Sequence, residues 1–330
     1  MKKILTIAGG FSTEREISIK TGRAVAKGIY KAGYESLFID TAFPESIIQV
    51  DDSFNYEIEM MTVSKTPEKT KALIDTLKKL APDKVFIGLH GGEGENGEIQ
   101  KMLDDINVKY VGSGSVSSAI CMDKNESKVF ALKVNVPLAN WKMLNNDEMY
   151  NDTIKELINS EYSYPVVIKA LAQGSSIGVS ILHSEEDIDH TIAMMNNIDD
   201  EFMIEEYISG RELSIPVIHN KAYPVIELIP NEGFYDYEHK YNEGVTQHVC
   251  PAELTEEQVE TINSYALKMN EILDCKDYCR IDFILDGKGE FYFLEANTLP
   301  GMTELSLVPE CASKVGYSFP DLMRLLIEGK

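Results

Sequence analysis

The sequence predicts a parallel α/β layer at the start of the chain followed by mixed α+β segments, and three observations carry that prediction. The first ~110 residues alternate strand-like and helix-like hydrophobic patterns. Two of the strand-like runs end in glycine-rich loops, at Gly9-Gly10 and at His90-Gly91-Gly92-Glu93-Gly94-Glu95-Asn96-Gly97. After Gly112-Ser113-Gly114 the pattern changes to strands joined by short turns, with helices between them.

Lys3 to Ala8 is a β-branched and leucine-rich run that stops at the Gly9-Gly10 pair. From Thr13 to about Ala32, Ile17, Ile19, Val25 and Ile29 recur on related helical faces, giving strand, glycine turn and helix. A strand at Ser36 to Ile39, a helix at Glu68 to Leu80 and a strand at Lys84 to Leu89 continue the alternation. In such a layer a ligand sits at the carboxyl ends of the strands, where the two glycine loops lie. The second part predicts a helix at about Lys124 to Val134, a strand at Trp141 to Leu144, a helix near Asp147 to Ile158 and a strand at Pro165 to Ala170. Gln173-Gly174-Ser175-Ser176-Ile177-Gly178 then leads to a strand at Val179 to Leu182. That is a hairpin loop, whereas a Walker loop requires a lysine and a helix directly after its glycines. The last third predicts strands at Phe202 to Tyr207 and Glu212 to Ile218, a long polar segment at 231–247 and a helix at Thr255 to Ile272. Two more strands follow, at Cys279 to Leu285 and Glu290 to Ala296. No internal repeat or low-complexity tract interrupts the chain.

At 330 residues with 44% apolar content, the chain can build two or three cores. Its formal charge of -23, from 31 basic and 54 acidic residues, repels nucleic acid and anionic lipid, and no basic run offsets it. The five cysteines (Cys121, Cys250, Cys275, Cys279, Cys311) include one close pair without a second pair or a nearby histidine, so they read as reduced thiols rather than a zinc site. The apolar stretch after Met1-Lys2-Lys3 is only about five residues, too short for a signal segment, and no run reaches the ~18 apolar residues of a membrane span. A cytoplasmic protein without nucleic-acid or membrane partners is expected.

The strongest chemical signal is Arg280-Ile281-Asp282-Phe283, the turn Asp286-Gly287-Lys288-Gly289, and Phe293-Leu294-Glu295-Ala296-Asn297. In a hairpin, residues two apart share a face, so Asp282, Glu295 and Asn297 converge beside Arg280. Hard oxygen donors without Cys or His suit magnesium, which keeps waters and shares phosphate oxygens. A merely solvated charged face would not explain the apolar flanks Ile281, Phe283, Leu294 and Ala296. Lys124 at a helix start and Lys169 at a strand end, upstream of the glycine-serine loop, can neutralise phosphate charge, although a single lysine is more often a solvated one. Glu205-Glu206-Tyr207-Ile208 with Glu212 offers acceptors for an amino group or ribose hydroxyls, or equally an ordinary surface.

Together these pieces resemble the ATP-grasp superfamily and, within it, the D-alanine:D-alanine ligase family over nearly the whole chain. The residues that carry the resemblance are Ala8-Gly9-Gly10 with Glu14-Arg15-Glu16-Ile17-Ser18, Leu89-His90-Gly91 with Gly94-Glu95-Asn96-Gly97, Gly112-Ser113-Gly114, and Met122-Asp123-Lys124. Further on they are Val167-Ile168-Lys169, Gly174-Ser175-Ser176-Ile177-Gly178-Val179, Glu205-Glu206-Tyr207-Ile208 and Gly210-Arg211-Glu212-Leu213. The final set is Phe234-Tyr235-Asp236-Tyr237-Glu238 with Lys240-Tyr241, the hairpin motif, Pro300-Gly301-Met302-Thr303 and Ser306-Leu307-Val308-Pro309.

The resemblance implies a three-domain ATP-grasp fold with an N-terminal parallel α/β domain (1–112, binding the first substrate). A central subdomain (113–204) and a C-terminal subdomain with metal site and lid loop (205–330) complete it. It implies an ADP-forming ligase that joins two D-alanines for peptidoglycan precursor synthesis. ATP would be bound by Lys124, Lys169, Ser176, Glu205, Tyr207, Ile208 and Glu212. Two magnesium ions, replaceable by manganese, would be held by Asp282, Glu295 and Asn297. Glu14, Ser175 and Tyr241 would form a linked set at the first D-alanine, with His90 nearby. Arg280 and the amide of Gly301 would stabilise an oxyanion, and Lys240 and Ser306 would contact substrate. A homodimer is implied as well.

The sequence departs from the family pattern at Glu304-Leu305, where Ser-His is usual, and at Ala170, Gln173 and Glu98. The first departure borders the second-substrate pocket and leaves open a ligase of the same fold for a different second amino acid, or for two different ones. A non-catalytic ATP-binding regulator is the other alternative, and the intact set Lys169, Arg280, Asp282, Glu295 and Asn297 speaks against it. Tyr241 favours an amine over a hydroxy-acid acceptor.

Overall fold

The computed structural model describes residues 1–57, 63–145, 149, 153–171, 178–195, 198, 201–230 and 246–329. The first layer comprises β1 (Lys3–Ala8), α1 (Arg15–Lys31), β2 (Glu35–Asp40), β3 (Ile48–Gln49), α2 (Pro67–Leu80), β4 (Lys84–Ile87), α3 (Glu98–Asp105) and β5 (Tyr110–Val111). Its strand order is β3-β2-β1-β4-β5, with β1 parallel to both β2 and β4, β4 parallel to β5, and β3 an antiparallel edge. Ile4, Leu5, Ile7 and Ala8 are all fully buried, the continuous apolar run of a parallel strand covered on both faces.

The second group comprises α4 (Ser115–Met122), α5 (Lys124–Lys133), β6 (Trp141–Leu144), α6 (Thr153–Glu161), β7 (Val166–Ala170), β8 (Val179–Leu182), α7 (Ile188–Met195) and β9 (Phe202–Glu206). Its four strands pair antiparallel in the order β6-β9-β7-β8. Helices α4 and α5 also pack on the strand Phe291–Asn297 of the next sheet. That third group comprises β10 (Gly210–Ile218), β11 (Lys221–Ala222), β12 (Ile226–Pro230), β13 (Thr246–Val249), α8 (Glu256–Ile272), β14 (Tyr278–Asp286), β15 (Phe291–Asn297), α9 (Leu307–Lys314) and α10 (Phe319–Glu328). Its sheet runs β13-β12-β10-β14-β15, with β11 beside β10.

Local chemistry explains several boundaries. Thr66 caps α2 by accepting from the Lys69 amide, and Pro67 opens the helix, where its missing N–H costs nothing. Asp123 accepts from the amides of Asn125 and Glu126, each at 2.9 Å, and so starts α5 at Lys124. Thr255 with Gln258, and Ser318 with Asp321, form reciprocal caps on α8 and α10. Helix α10 returns to the first layer and packs on α1. Gly28 leaves the room, since a Cβ there would lie 2.7 Å from the Phe319 ring.

Two predicted segments differ in detail. The polar stretch 231–247 ends earlier, because Thr246 and Gln247 belong to β13, opposite Pro230 and Ile229; residues 231–245 lie outside the described residues. The helix placed near Asp147 is described from Thr153. The predicted loop from Gln173 to Gly178 is described only at Gly178, whose carbonyl accepts from the Ala170 amide at 2.7 Å.

Candidate active site

The first cluster lies where the strand order of the first layer reverses. Chain from β1 passes through α1 to β2 on one side, whereas β4 pairs on the other, so the loops after β1 and β4 diverge around a crevice. Gly9 turns with φ +77°, and a Cβ there would stand 2.2 Å from Asp40 Oδ1. That space is taken because Arg15 grips Asp40 with two nitrogens, at 2.8 and 2.5 Å, and braces the turn. Ser12 Oγ donates to the His90 carbonyl at 2.5 Å and accepts from the Glu14 amide at 3.2 Å, which ties the two loops together. Glu14 is buried and reaches Gly91 so closely that a Cβ there would sit 2.9 Å from its Oε1. The His90 ring lies between Thr21 Oγ1, 2.8 Å from Nε2, and Glu95 Oε1, 3.4 Å from Nδ1. A buried carboxylate at this crevice is suited to receiving an ammonium group.

The second cluster is on the four-stranded sheet. β7 pairs with β9 so that Lys169 and Glu205 are near neighbours, and both are buried. Glu205 Oε2 accepts from Lys169, and its Oε1 from Lys128, which is fully buried on α5. Burial works against the Glu205 carboxylate, but Lys169 and Lys128 outweigh it and hold its pKa at about 2, below the usual 4.5. Burial lowers the pKa of Lys128, against the attraction of Glu205. The Lys128 ammonium also stands 5.6 Å from the Trp141 ring centroid. Lys124 Nζ lies 3.4 Å from the Leu171 carbonyl, at the same end of the sheet. Two cations thus surround one anion in a desolvated place, with the surplus positive. Tyr207 and Ile208 leave β9 half-buried, and Glu212 follows on β10.

The third cluster is the hairpin. Asp282 pairs directly opposite Glu295 and Arg280 opposite Asn297, while Ser214 of β10 lies opposite Asp282 on its other side. The register slips between Asp282 and Phe283, leaving Leu294 as an extra residue on β15. Arg280 Nη2 reaches Asp282 Oδ2 at 2.7 Å and stands 3.8 Å from Glu295 Oε1. Asp282 Oδ1 also accepts from Ser214 Oγ at 2.5 Å, and Asn297 Oδ1 accepts from the Leu299 amide at 2.9 Å. Ile281 and Phe283 are fully buried and Ala296 nearly so, so the opposite face belongs to the core. Among the described residues no group of three or more His, Cys, Asp or Glu side chains could hold a metal by itself. Two carboxylates and an amide oxygen fit a magnesium ion that completes its shell with phosphate oxygens and water.

Beyond β15, Gly301 comes so close to Ser306 that a Cβ there would lie 3.1 Å from Ser306 Oγ. That hydroxyl is 2.9 Å from Thr303 Oγ1 and accepts from the Thr303 amide at 3.0 Å, and Ser306 is the N-cap of α9. The neighbouring Leu305 side chain is 66% exposed. Ser175, Ser176, Lys240 and Tyr241 lie outside the described residues. Sequence reasoning missed Lys128, Ser214, Ser12 and Thr21. A signal existed for Lys128, which is four residues after Lys124 on the same helix and so shares its face.

The protein-family model for the D-ala D-ala ligase N-terminus matches residues 3–113, and that for the D-ala D-ala ligase C-terminus matches residues 130–328. The chain belongs to the D-alanine–D-alanine ligase family. Its similarity to a D-alanine–D-alanine ligase of Pediococcus pentosaceus is 35% identity over 99% of this chain and 97% of that one. With a ligase of Aquifex aeolicus it shares 33% over 98% of this chain and 99% of that one. Among solved structures, a Bacillus anthracis D-alanine–D-alanine ligase complexed with ATP superposes with a TM-score of 0.78, at 28% identity, covering 99% of this chain and 97% of that one. The VanG D-Ala:D-Ser ligase of Enterococcus faecalis superposes with a TM-score of 0.77, at 26% identity, covering 99% and 98%. The architecture is the family's ATP-grasp fold behind a parallel N-terminal layer.

Proposed function

We propose that this chain is an ATP-dependent, ADP-forming ligase that joins two D-alanines for peptidoglycan precursor synthesis. The observation that carries the reading is the hairpin register, which sets Asp282 against Glu295 with Arg280 within reach of both.

A carboxylate is a poor electrophile. In the first step the carboxylate oxygen of one D-alanine attacks the γ-phosphorus of ATP, ADP leaves, and an acyl phosphate forms. In the second, the amine of the other D-alanine attacks the acyl carbon, and phosphate leaves as the peptide bond forms. Glu14 holds the ammonium of the first D-alanine, with His90 beside it and Ser175 and Tyr241 in the same network. Lys124 and Lys169 meet the phosphates with Ser176. Glu205, Tyr207 and Ile208 line the adenine, and Glu212 takes the ribose. Magnesium, when bound by Asp282, Glu295 and Asn297, supplies charge neutralisation of the transferring phosphoryl group, and manganese substitutes for it. Arg280 is rigidly held by Asp282, so its fixed charge is available when an oxyanion develops, together with the Gly301 amide. Ser306, presented at the N-terminus of α9, and Lys240 receive the carboxylate of the second D-alanine.

The division of labour follows the chain: residues 1–112 for the first amino acid, 113–204 for much of the nucleotide, and 205–330 for the metal and the second amino acid. Among the described residues no helix is long and apolar enough to cross a membrane. Dependence on ATP supports a cytoplasmic location, and a homodimer is the assembly implied by family resemblance.

A second reading keeps the mechanism and changes the acceptor. It is favoured by exposed Leu305 beside Ser306 and by similarity to a D-Ala:D-Ser ligase. Phosphate release with Mg-ATP should require D-alanine and yield D-alanyl-D-alanine. Release driven by another amino acid, with none from D-alanine, would remove the substrate assignment and leave the chemistry. D-alanine-dependent release that rises when D-serine is added, with a mixed dipeptide as the main product, would select the second reading.

A further inference from the structure

Strand β13 and helix α9 meet through two side-chain contacts that the ligation chemistry does not use. His248 Nδ1 stands 2.9 Å from Glu310 Oε2, and the sulfurs of Cys250 and Cys311 are 3.7 Å apart. His248 lies on β13 and Cys250 in the bend just past its end, while Glu310 and Cys311 are consecutive on α9. The β13 end is held on its other side as well, because the Ala252 amide donates to the Val225 carbonyl at 2.8 Å.

The two thiols differ in access. Cys311 is fully buried, whereas Cys250 is only partly so. Contact with Cys311 lowers the pKa of the Cys250 thiol, against the effect of burial, and the same contact together with burial raises that of Cys311. A partly exposed thiol of lowered pKa in contact with a buried partner is the arrangement of an attacking and a resolving cysteine. The other three thiols, Cys121, Cys275 and Cys279, are all buried and have no accessible member.

We propose that Cys250 and Cys311 form a thiol–disulfide exchange site, with Cys250 the attacking sulfur and Cys311 the resolving one, for small uncharged disulfides. First the Cys250 thiolate forms a bond to one sulfur of R–S–S–R, the bond between the two reagent sulfurs breaks, and R–S⁻ leaves to be protonated by water. Then the Cys311 sulfur attacks the Cys250 sulfur, the bond from Cys250 to the reagent sulfur breaks, and the second R–S⁻ leaves and takes up the Cys311 proton. Two protein thiols lose two electrons, and the reagent becomes two R–SH. A bond of about 2.05 Å needs the sulfurs to close by less than about 2 Å, with the backbones already tethered by His248 and Glu310. An uncharged reagent is preferred because Glu310 adjoins Cys311 and the chain carries a formal charge of -23. Closure joins β13 to the helix capped by Ser306, but the site itself stands independently of the ligation reading.

The test is peptide mapping by mass spectrometry of the reduced full-length protein after 2-hydroxyethyl disulfide treatment and alkylation. The expected result is a Cys250–Cys311 linked peptide, an intact mass lower by two hydrogens before alkylation, and Cys121, Cys275 and Cys279 still thiols. In Cys311→Ala the mixed disulfide should persist on Cys250 and form several-fold more slowly, and in Cys250→Ser neither adduct nor linkage should appear. A wild-type map in which the adduct stays unresolved on Cys250, or in which the bond joins other cysteines, would overturn the proposal. The wild-type map decides this even where a variant fails to fold.

Discussion

Two charged centres of this molecule are built in opposite ways. Around Glu205, two buried lysines surround one carboxylate, leaving an excess positive charge where water is excluded. Around Arg280, among the described residues, one guanidinium meets two carboxylates, Asp282 and Glu295, at a place where the Glu295 side chain is still 30% exposed. The first centre is suited to anionic phosphates and the second to a divalent cation. The difference also predicts unequal roles, because a desolvated pair is a stability element whereas a half-open one can be given to ligands.

The largest test of that contrast is Glu205→Gln, which leaves two buried lysines without their anion and should cost about 3–5 kcal/mol in guanidinium unfolding. Because the folded pKa of Glu205 is depressed, from 4.5 to about 2, its stabilisation is fully present above about pH 4.5 and is lost as pH falls toward 2. The variant should therefore show a flatter loss of stability over that window, and an identical acid profile would contradict the pairing. Next is Glu295→Gln, expected to reduce turnover by at least about 100-fold with little change in unfolding midpoint; near-normal activity would sink the metal assignment. Ser214→Ala should lower kcat by about 10-fold or more by loosening Asp282, with KM for ATP and its magnesium dependence shifting together. Smallest is Lys128→Met, which leaves Lys169 and Glu205 as a balanced pair and should change stability by less than about 1.5 kcal/mol. A loss as large as that of Glu205→Gln would show that the surplus lysine is needed for folding.

What the sequence disclosed follows the range of the interactions involved. The hairpin centre was legible because Arg280, Asp282, Glu295 and Asn297 lie on two strands joined by one turn, so period-two spacing alone puts them together. The two glycine loops beside Glu14 and His90 were legible because alternation alone puts them at the carboxyl ends of strands, whereas the strand order came only with the structure. Lys128 was not legible as a buried group, since a lysine on a helix reads as solvated until Glu205, far along the chain, is packed against it. Ser214 was hidden within an apolar strand, and only the pairing of β10 with β14 sets it on Asp282. β3, β5 and β11 are two residues each, too short for any period to show. α10 is a different case: its Ser318 and Asp321 cap was readable and simply went unused. The Cys250–Cys311 contact joins two elements distant in sequence, so the cysteine spacing could not reveal it.

The most direct measurement follows oxygen through the reaction. With D-alanine carrying oxygen-18 in its carboxylate, an acyl-phosphate route must transfer one labelled oxygen to the phosphate that the enzyme releases from Mg-ATP. Labelled phosphate formed in step with D-alanyl-D-alanine is the predicted result. Dipeptide formed with wholly unlabelled phosphate would contradict the activation step on which the roles of Arg280, Asp282, Glu295 and Asn297 rest.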